Sequence, residues 1–390
     1  MDPINQQTGS LPPPDNHSIE LLVLQGTPFC NIDCSYCYLP DRENTRRMSL
    51  ETLKKIAERL HESDLLGQRL TVVWHAGEPL TLPIEYYEEA IALLAEAKGP
   101  NTVIDHSFQT NGTLINERWV HFFKQYDVRI GVSLDGPAWL HDRYRKTRRG
   151  TGSFEKCMRG VRLLQESGLG FHVITVVTAD TLDHADELFD FYVSNGIRQV
   201  GFNIEEIEAA NASSSLEREG AEAAFGQFLR RFIERQKSQP PGTLTIREFT
   251  TAFAAIARPN DMPGRNQQTV PFRILSIDVE GNISTFSPEL LGARSETYGN
   301  FLFGNVHERS FREILSHPAF RKTMGEIERG VRACRESCDY FEFCGAGAPG
   351  NKFFEKGRFD VTETLFCRLT QKAVIDAVLD DMEQELELVG

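Results

Sequence analysis

Between Ile19 and about Glu206, strand-like runs alternate with helical ones six times, and this rhythm limits what the chain can fold into more than any other feature. Ile19–Leu24, Leu70–Trp74, Val103–Phe108, Val128–Leu134, Phe171–Val177 and Gln199–Ile204 are short, apolar and partly β-branched. Between them lie helical patterns. Leu53, Ile56 and Leu60 follow Ser49, a plausible N-cap; Tyr86–Ala97 and Trp119–Gln125 come next. Ser153 is expected to cap a helix carrying Met158, Val161 and Leu164, and Asn195-Gly196 stops another over Leu182–Tyr192. Such alternation predicts parallel βαβ units, with functional loops at the carboxyl ends of the strands. Periodicity alone leaves open a full barrel, a partial barrel or an open doubly wound sheet.

Composition narrows the function classes. The chain has 390 residues, 40% hydrophobic and 25% charged, enough for one large domain or two ordinary ones. Its formal net charge of −14 disfavours a binder of nucleic-acid backbones, which needs a basic face. No apolar run reaches the length of a membrane-spanning helix, and Met1 to Ser18 lacks the basic and apolar regions of a secretory signal. Its prolines suggest a disordered lead-in over 1–18. Eight cysteines without an export signal read as metal or redox ligands, in a cytoplasmic setting.

Three of the eight, Cys30, Cys34 and Cys37, lie on the loop after the first strand. Three thiolates can hold three corners of a cubane iron–sulfur cluster and leave one iron free for a small molecule. Zinc sites usually pair two Cys-x-x-Cys units, or a Cys pair with a His pair, and neither completes here. With Tyr36 just before the last cysteine, the loop resembles the signature of the radical SAM superfamily, which cleaves S-adenosylmethionine (SAM) reductively. The resemblance implies a partial (β/α)6 TIM-like barrel. It also assigns His75-Ala76-Gly77-Glu78-Pro79, after the second strand, to the element that receives the amino group of SAM. Gly77 and Glu78 thereby join Tyr36 as expected cofactor-binding residues. Gln109-Thr110-Asn111-Gly112 and Ser133-Leu134-Asp135-Gly136-Pro137 also match loops of this family. Gln109, Asn111 and Ser133 are expected near SAM, and Arg145 is the candidate for its carboxylate. A plain turn and a solvated basic loop are the competing readings of these segments. Asn203 to Glu206, at the end of the sixth strand, are candidate site residues or a solvated loop. Cys157, alone on a helix, reads as a buried small hydrophobe.

The pattern changes after Gln239-Pro240-Pro241-Gly242, which follows a helix expected over Leu216–Gln236. Phe272–Val279 and Ile283–Phe286 flank a hairpin signal at Glu280-Gly281-Asn282, and a last helix is expected over Glu363–Leu388. Cys334, Cys338, Cys344 and Cys367 could complete a closed [4Fe–4S] or zinc site. Cys344-Gly345-Ala346-Gly347 and Phe303-Gly304-Asn305-Val306 resemble the SPASM domain, the auxiliary-cluster domain of peptide-modifying radical SAM enzymes. The expected organisation is thus 1–18 lead-in, 19–240 barrel and 241–390 SPASM-like domain. A full SPASM domain has seven cysteines for two clusters. Here Ala348 and Ser287 stand where two of them would be, so the resemblance implies one auxiliary cluster, and two [4Fe–4S] clusters in all. The related sulfatase maturases carry an aspartate base where this chain has Pro288. That leaves Glu289 or Asp278 as the candidate catalytic base, against a surface carboxylate.

Tyr38-Leu39-Pro40-Asp41-Arg42, Pro288-Glu289-Leu290-Leu291 and Cys338-Asp339-Tyr340-Phe341 fit best with the maturases of glycine-rich-repeat (Grr-type) peptides. Those enzymes join an aromatic ring to the β-carbon of a residue two positions on, forming a cyclophane. The resemblance implies a precursor peptide as substrate and an electron donor of the flavodoxin or ferredoxin type. The N-terminal lead-in is too short for a leader-binding domain, so the precursor is expected to bind the barrel, the C-terminal domain or a separate protein. A sulfatase-maturase-like dehydrogenase acting on Ser or Cys, and a non-enzymatic metal-binding scaffold, are the alternatives.

Overall fold

All six expected strands form, and they line up side by side in chain order. In the computed structural model, which describes residues 18–99, 102–258 and 264–389, they are β1 (Ile19–Leu24), β3 (Leu66–Trp74), β4 (Val103–Thr110), β5 (Arg129–Ser133), β7 (Phe171–Val177) and β8 (Gln199–Ile204). Each is parallel to its neighbour, with registers such as Leu24↔Trp74, Trp74↔Phe108 and Val177↔Ile204. Apart from Ser18, the expected lead-in lies outside the described residues. The connecting helices lie over this sheet because their apolar residues recur on one face. In the helix Leu50–Glu62, Leu53, Ile56, Ala57 and Leu60 are buried, and Ser49 accepts from Thr52 N at 3.0 Å as its cap. Trp74, Tyr87, Phe108, Trp119, Phe122 and Phe123 form an aromatic cluster between sheet and helices, each at most 4% exposed.

The sheet does not close. Its order is β12-β11-β10-β1-β3-β4-β5-β7-β8-β9, where β9 is Thr245–Ile246, β10 Ile274–Ile277, β11 Asn282–Thr285 and β12 Gly304–Asn305. The predicted hairpin forms, with its first strand shorter than expected and its second shifted by one residue, and β10 pairs parallel to β1. The expected boundary between residues 240 and 241 is therefore crossed by the sheet: β9–β12 lie beyond it and extend both edges. A separate two-stranded ribbon pairs β2 (Ile32–Cys34) with β6 (Arg145–Thr147), antiparallel.

Three helix expectations need correction. Ser153 stands at the N-cap of the helix Phe154–Glu166, as expected, but its side chain makes no capping bond. Its hydroxyl donates to Arg145 O at 2.7 Å, and Asp142 Oδ1 accepts from Phe154 N at 2.8 Å instead. The helix expected over Leu216–Gln236 starts later and runs Ala221–Lys237, because Ser214 caps a separate 3₁₀ turn at Ser215–Glu217. The last helix is interrupted. Leu365–Cys367 leads into a wide π-type turn at Arg368–Lys372 before Ala373–Val389.

Candidate active site

The site gathers at the carboxyl ends of the parallel strands. The loop from Pro28 to Cys37 follows β1 and is fastened from three sides. Cys34 lies in β2, opposite Arg145 of β6. Arg42 Nη1 donates to Cys34 O at 2.8 Å, and Arg148 Nε donates to Cys30 O at 2.7 Å. Asn111 Nδ2 donates to Asn31 Oδ1 at 2.8 Å and reaches Cys30 Sγ at 3.8 Å. Burial pushes Cys30 up to about 11 and Cys34 up to about 12, and the nearby Cys37 sulfur adds to both. An anionic three-thiolate cluster fits this setting: three guanidiniums surround the loop, and Arg145 Nη1 is 3.9 Å from Cys34 Sγ. Among the described residues, no three His, Cys, Asp or Glu side chains converge as a single ion would require.

Arg145 is buried at 6% exposure and is more than a solvated loop cation. Its Nε and Nη2 donate to Asp135 Oδ2 and Oδ1 at 2.9 and 3.1 Å, a forked pair. The guanidinium lies 5.4 Å from the ring centroid of Tyr36, whose hydroxyl also donates to Asp135. Asp135, 1% exposed, thus ties β5 to the cysteine loop. It lay within the Ser133–Pro137 segment, but nothing in its sequence setting marked it as the anchor.

The Gly-Glu-Pro turn presses directly on the cysteine loop. Gly77 has φ +130, and a Cβ there would come within 2.1 Å of Thr27 O. Glu78 N donates to Phe29 O at 2.8 Å. The Glu78 carboxylate is committed inside the fold, accepting from Leu80 N, Thr110 Oγ1 and Asn111 N at 2.9, 2.7 and 2.7 Å. Burial raises it to about 7 despite those bonds. Glu78 therefore locks the turn after β3 to the loop after β4. Gln109 Nε2 donates to Ser133 Oγ at 2.9 Å across β4 and β5. Gly131 lies beneath, where a Cβ would strike the Gln109 side chain at 2.1 Å. A cavity of about 300 Å³ opens beside this turn, lined by Tyr38, Ala76, Asp278 and Pro288 among others.

The two candidate bases part company. Asp278 holds the hairpin turn: its carboxylate accepts from Glu280 N, Asn282 N and Asn282 Nδ2, each at 2.9 Å. Glu289 instead joins Glu206 and Glu208, which the chain brings in from the end of β8. Glu206 and Glu208 hydrogen-bond each other, and burial holds both above the usual carboxylate range, helped at Glu208 by the charges of Glu206 and Glu289 and at Glu206 by that of Glu355. Asn351 Nδ2 donates to Glu206 Oε2 at 2.6 Å and to Glu208 Oε1 at 3.3 Å. Burial, then the Glu206 charge, raises Glu289 to about 7. Tyr38 faces the same trio, and its hydroxyl is 3.3 Å from His75 Nε2. Burial lowers His75 to about 4, so the ring is neutral. Glu206 was within the reach of sequence reasoning, but Glu208 was not: a glutamate four residues past a strand carries no distinguishing pattern.

Cys334, Cys338, Cys344 and Cys367 come together from the end of the helix Pro318–Ser337, the short helix Phe341–Cys344 and Leu365–Cys367. After Cys344, three successive residues have positive φ (Gly345 +62, Ala346 +86, Gly347 +70), and the Ala346 and Gly347 amides donate to its sulfur. Such a nest of amides suits an anionic sulfur. Ser287 is no spare ligand. Its hydroxyl donates to Gln268 Oε1 at 2.8 Å and accepts from Gly350 N at 2.9 Å. Cys157 is fully buried, as expected of a packing residue.

The family model of the radical SAM superfamily matches residues 24–192. The chain is 41% identical over 391 residues to the uncharacterized protein sll1766 of Synechocystis sp., covering 99% of this chain and 98% of that one. It is 27% identical over 346 residues to a serine-type anaerobic sulfatase-maturating enzyme of Bacteroides thetaiotaomicron, covering 83% and 81% of the two chains. Among solved structures, anSMEcpe with bound AdoMet and Cp18Cys peptide superposes with a TM-score of 0.74 at 19% identity, covering 94% of this chain and 98% of that one. SuiB of Streptococcus suis, bound to the precursor peptide SuiA, gives 0.61 at 16%, covering 90% and 76%. These two likenesses are of fold. With a parallel sheet carrying three cysteines after its first strand and a Gly-Glu-Pro turn after the next, the chain carries a radical SAM domain over residues 24–192.

Proposed function

We propose that this protein is a radical SAM enzyme that crosslinks a ribosomally made precursor peptide, joining an aromatic side chain to a nearby β-carbon. The observation that carries this reading is Glu289, a half-buried carboxylate raised to about 7 by desolvation and the Glu206 charge, two residues from Ser287 in the loop where the resembled domain would hold another cluster. With SAM on an open iron at Cys30, Cys34 and Cys37 and a closed cluster at the four C-terminal cysteines, the bound groups would supply hydrogen-atom abstraction and accept one electron. The residues supply the rest. Arg145 and Asn111 hold the cysteine loop, Gly77 lets the turn approach it, and Glu289 takes the ring proton released when the new carbon–carbon bond forms. Overall the peptide loses two hydrogens: one leaves as the atom abstracted from the β-carbon, the other as a proton and an electron.

A peptide or protein substrate agrees with the relatives, one named for maturing sulfatases and another bound to its precursor peptide. The reading implies a reducing compartment and a low-potential donor of the flavodoxin or ferredoxin type. The decisive experiment incubates anaerobically reduced enzyme with SAM and a candidate precursor. The product should be lighter by two hydrogen atoms and unreactive towards a hydrazide probe. A hydrazide-reactive product would instead favour the second reading, oxidation of a Ser or Cys, which the likeness to the sulfatase-maturating enzyme supports.

A further inference from the structure

Lys352 is 5% exposed, and its ammonium donates to Cys334 Sγ at 3.4 Å. Among the described residues, no carboxylate forms an ion pair with it. An uncompensated buried ammonium costs several kcal/mol, and a neutral thiol offsets little of that. A thiolate carrying the negative charge of a cluster would offset much more. The placement of Lys352 is fixed by its helix. Pro349–Lys356 begins with Gly350 N donating to Ser287 Oγ at 2.9 Å and with Asn351 reaching Glu206 and Glu208. One helical turn therefore has one residue on the acidic trio and the next on the cysteine site.

We propose that Lys352 is the charge-compensating residue of the C-terminal cluster and makes that cluster easier to reduce. The inference rests on the reading that the four C-terminal thiols hold an iron–sulfur cluster. A positive charge and an N–H donor at a ligating sulfur both favour the more negative, reduced form. Lys372, the other lysine near this site, is already neutralised by Glu363, so its charge counts for less.

The test uses the full chain with Cys30, Cys34 and Cys37 all changed to Ala, which leaves the C-terminal site as the one iron-binding centre. This parent should hold about four irons, as a four-thiolate cube does. Lys352→Met in that background should move the midpoint potential to more negative values by at least tenfold in the one-electron equilibrium, about 59 mV. Lys352→Arg should stay near the parent, and Lys372→Met should move less than Lys352→Met. If Lys352→Met and Lys352→Gln lose their iron while Lys352→Arg keeps it, the charge is likewise required. An unmoved midpoint in Lys352→Met, or equal effects in Met and Arg variants, overturns the inference. Loss of iron in all three variants also overturns it, since the lysine's shape rather than its charge would then matter. A parent without iron removes the cluster reading and this inference together, a result distinct from an iron-loaded site whose potential does not respond.

Discussion

Gly77 meets a constraint that an L side chain cannot. Its φ of +130 is strained for other residues, and the atom a Cβ would strike first is the backbone oxygen of Thr27, which cannot rotate away. Gly77→Ala should therefore shift the whole turn. We expect a loss of about 1–3 kcal/mol in stability and weakened SAM binding, read by thermal melts and by titration with SAM. Glu289 makes the chemical prediction at this scale. Glu289→Gln should still convert SAM to 5′-deoxyadenosine, yet form crosslinked product about 10²–10⁴-fold more slowly. In the wild type, product formation should rise with pH through about 7 as the carboxylate loses its proton, and this limb should vanish in the variant. The stability effect has the opposite sense. Because the folded-state pKa lies above the unfolded one, the native chain holds a proton that the unfolded chain releases, so stability falls as pH rises from the ordinary carboxylate range through about 7. The Gln variant should accordingly gain more in melting temperature at pH values above about 7 than in acid. If both enzymes show the same pH profile, Glu289 is not the base.

Single elements differ sharply in how readable they are. The six parallel strands were legible because each is a run of five or more residues that carries apolar, partly β-branched side chains and is bounded by turn or helix signals, as at Phe171–Val177. The ribbon that holds the cysteine loop was not. Its strands, Ile32–Cys34 and Arg145–Thr147, have three residues each and are too short for a period, and they pair across more than a hundred positions. What fixes the ribbon is a charge pair that becomes visible only once the chain is folded: Arg145 forked on Asp135, both buried. Asp135→Ala leaves the guanidinium buried without its partner. Breaking such a pair costs about 3–5 kcal/mol, against the 0–1 typical of an exposed one. The variant should lose iron from the N-terminal site before it unfolds globally. Iron analysis of the folded protein alongside a melting curve checks the order. A variant that melts lower but keeps its N-terminal iron would confine Asp135 to stability.

At the scale of the molecule, the C-terminal half is built into the barrel. The hairpin β10–β11 lengthens the sheet beside β1, and the loop after it carries Glu289 to the carboxylates at the end of β8. The sequence hid this because a hairpin's pattern says how its strands pair with each other and nothing about which open edge they join. The cysteines were legible for the opposite reason: ligand spacing is local, so Cys30, Cys34 and Cys37 declare themselves within eight residues. The four later thiols come from three separate segments, yet their charges couple in the folded chain. Two sites of different kinds should therefore separate by variant. Anaerobically prepared protein should contain about eight irons, on the basis of four per cube. Changing Cys30, Cys34 and Cys37 to Ala should leave about four and abolish SAM cleavage, because the open iron is gone. Changing Cys334, Cys338, Cys344 and Cys367 to Ala should also leave about four. In that case slow SAM cleavage should persist without crosslinked product, because the surplus electron then has no acceptor. Zinc in the C-terminal site would make it structural, and about twelve irons in the wild type would mean that Ser287 and Ala348 do not mark a lost cluster.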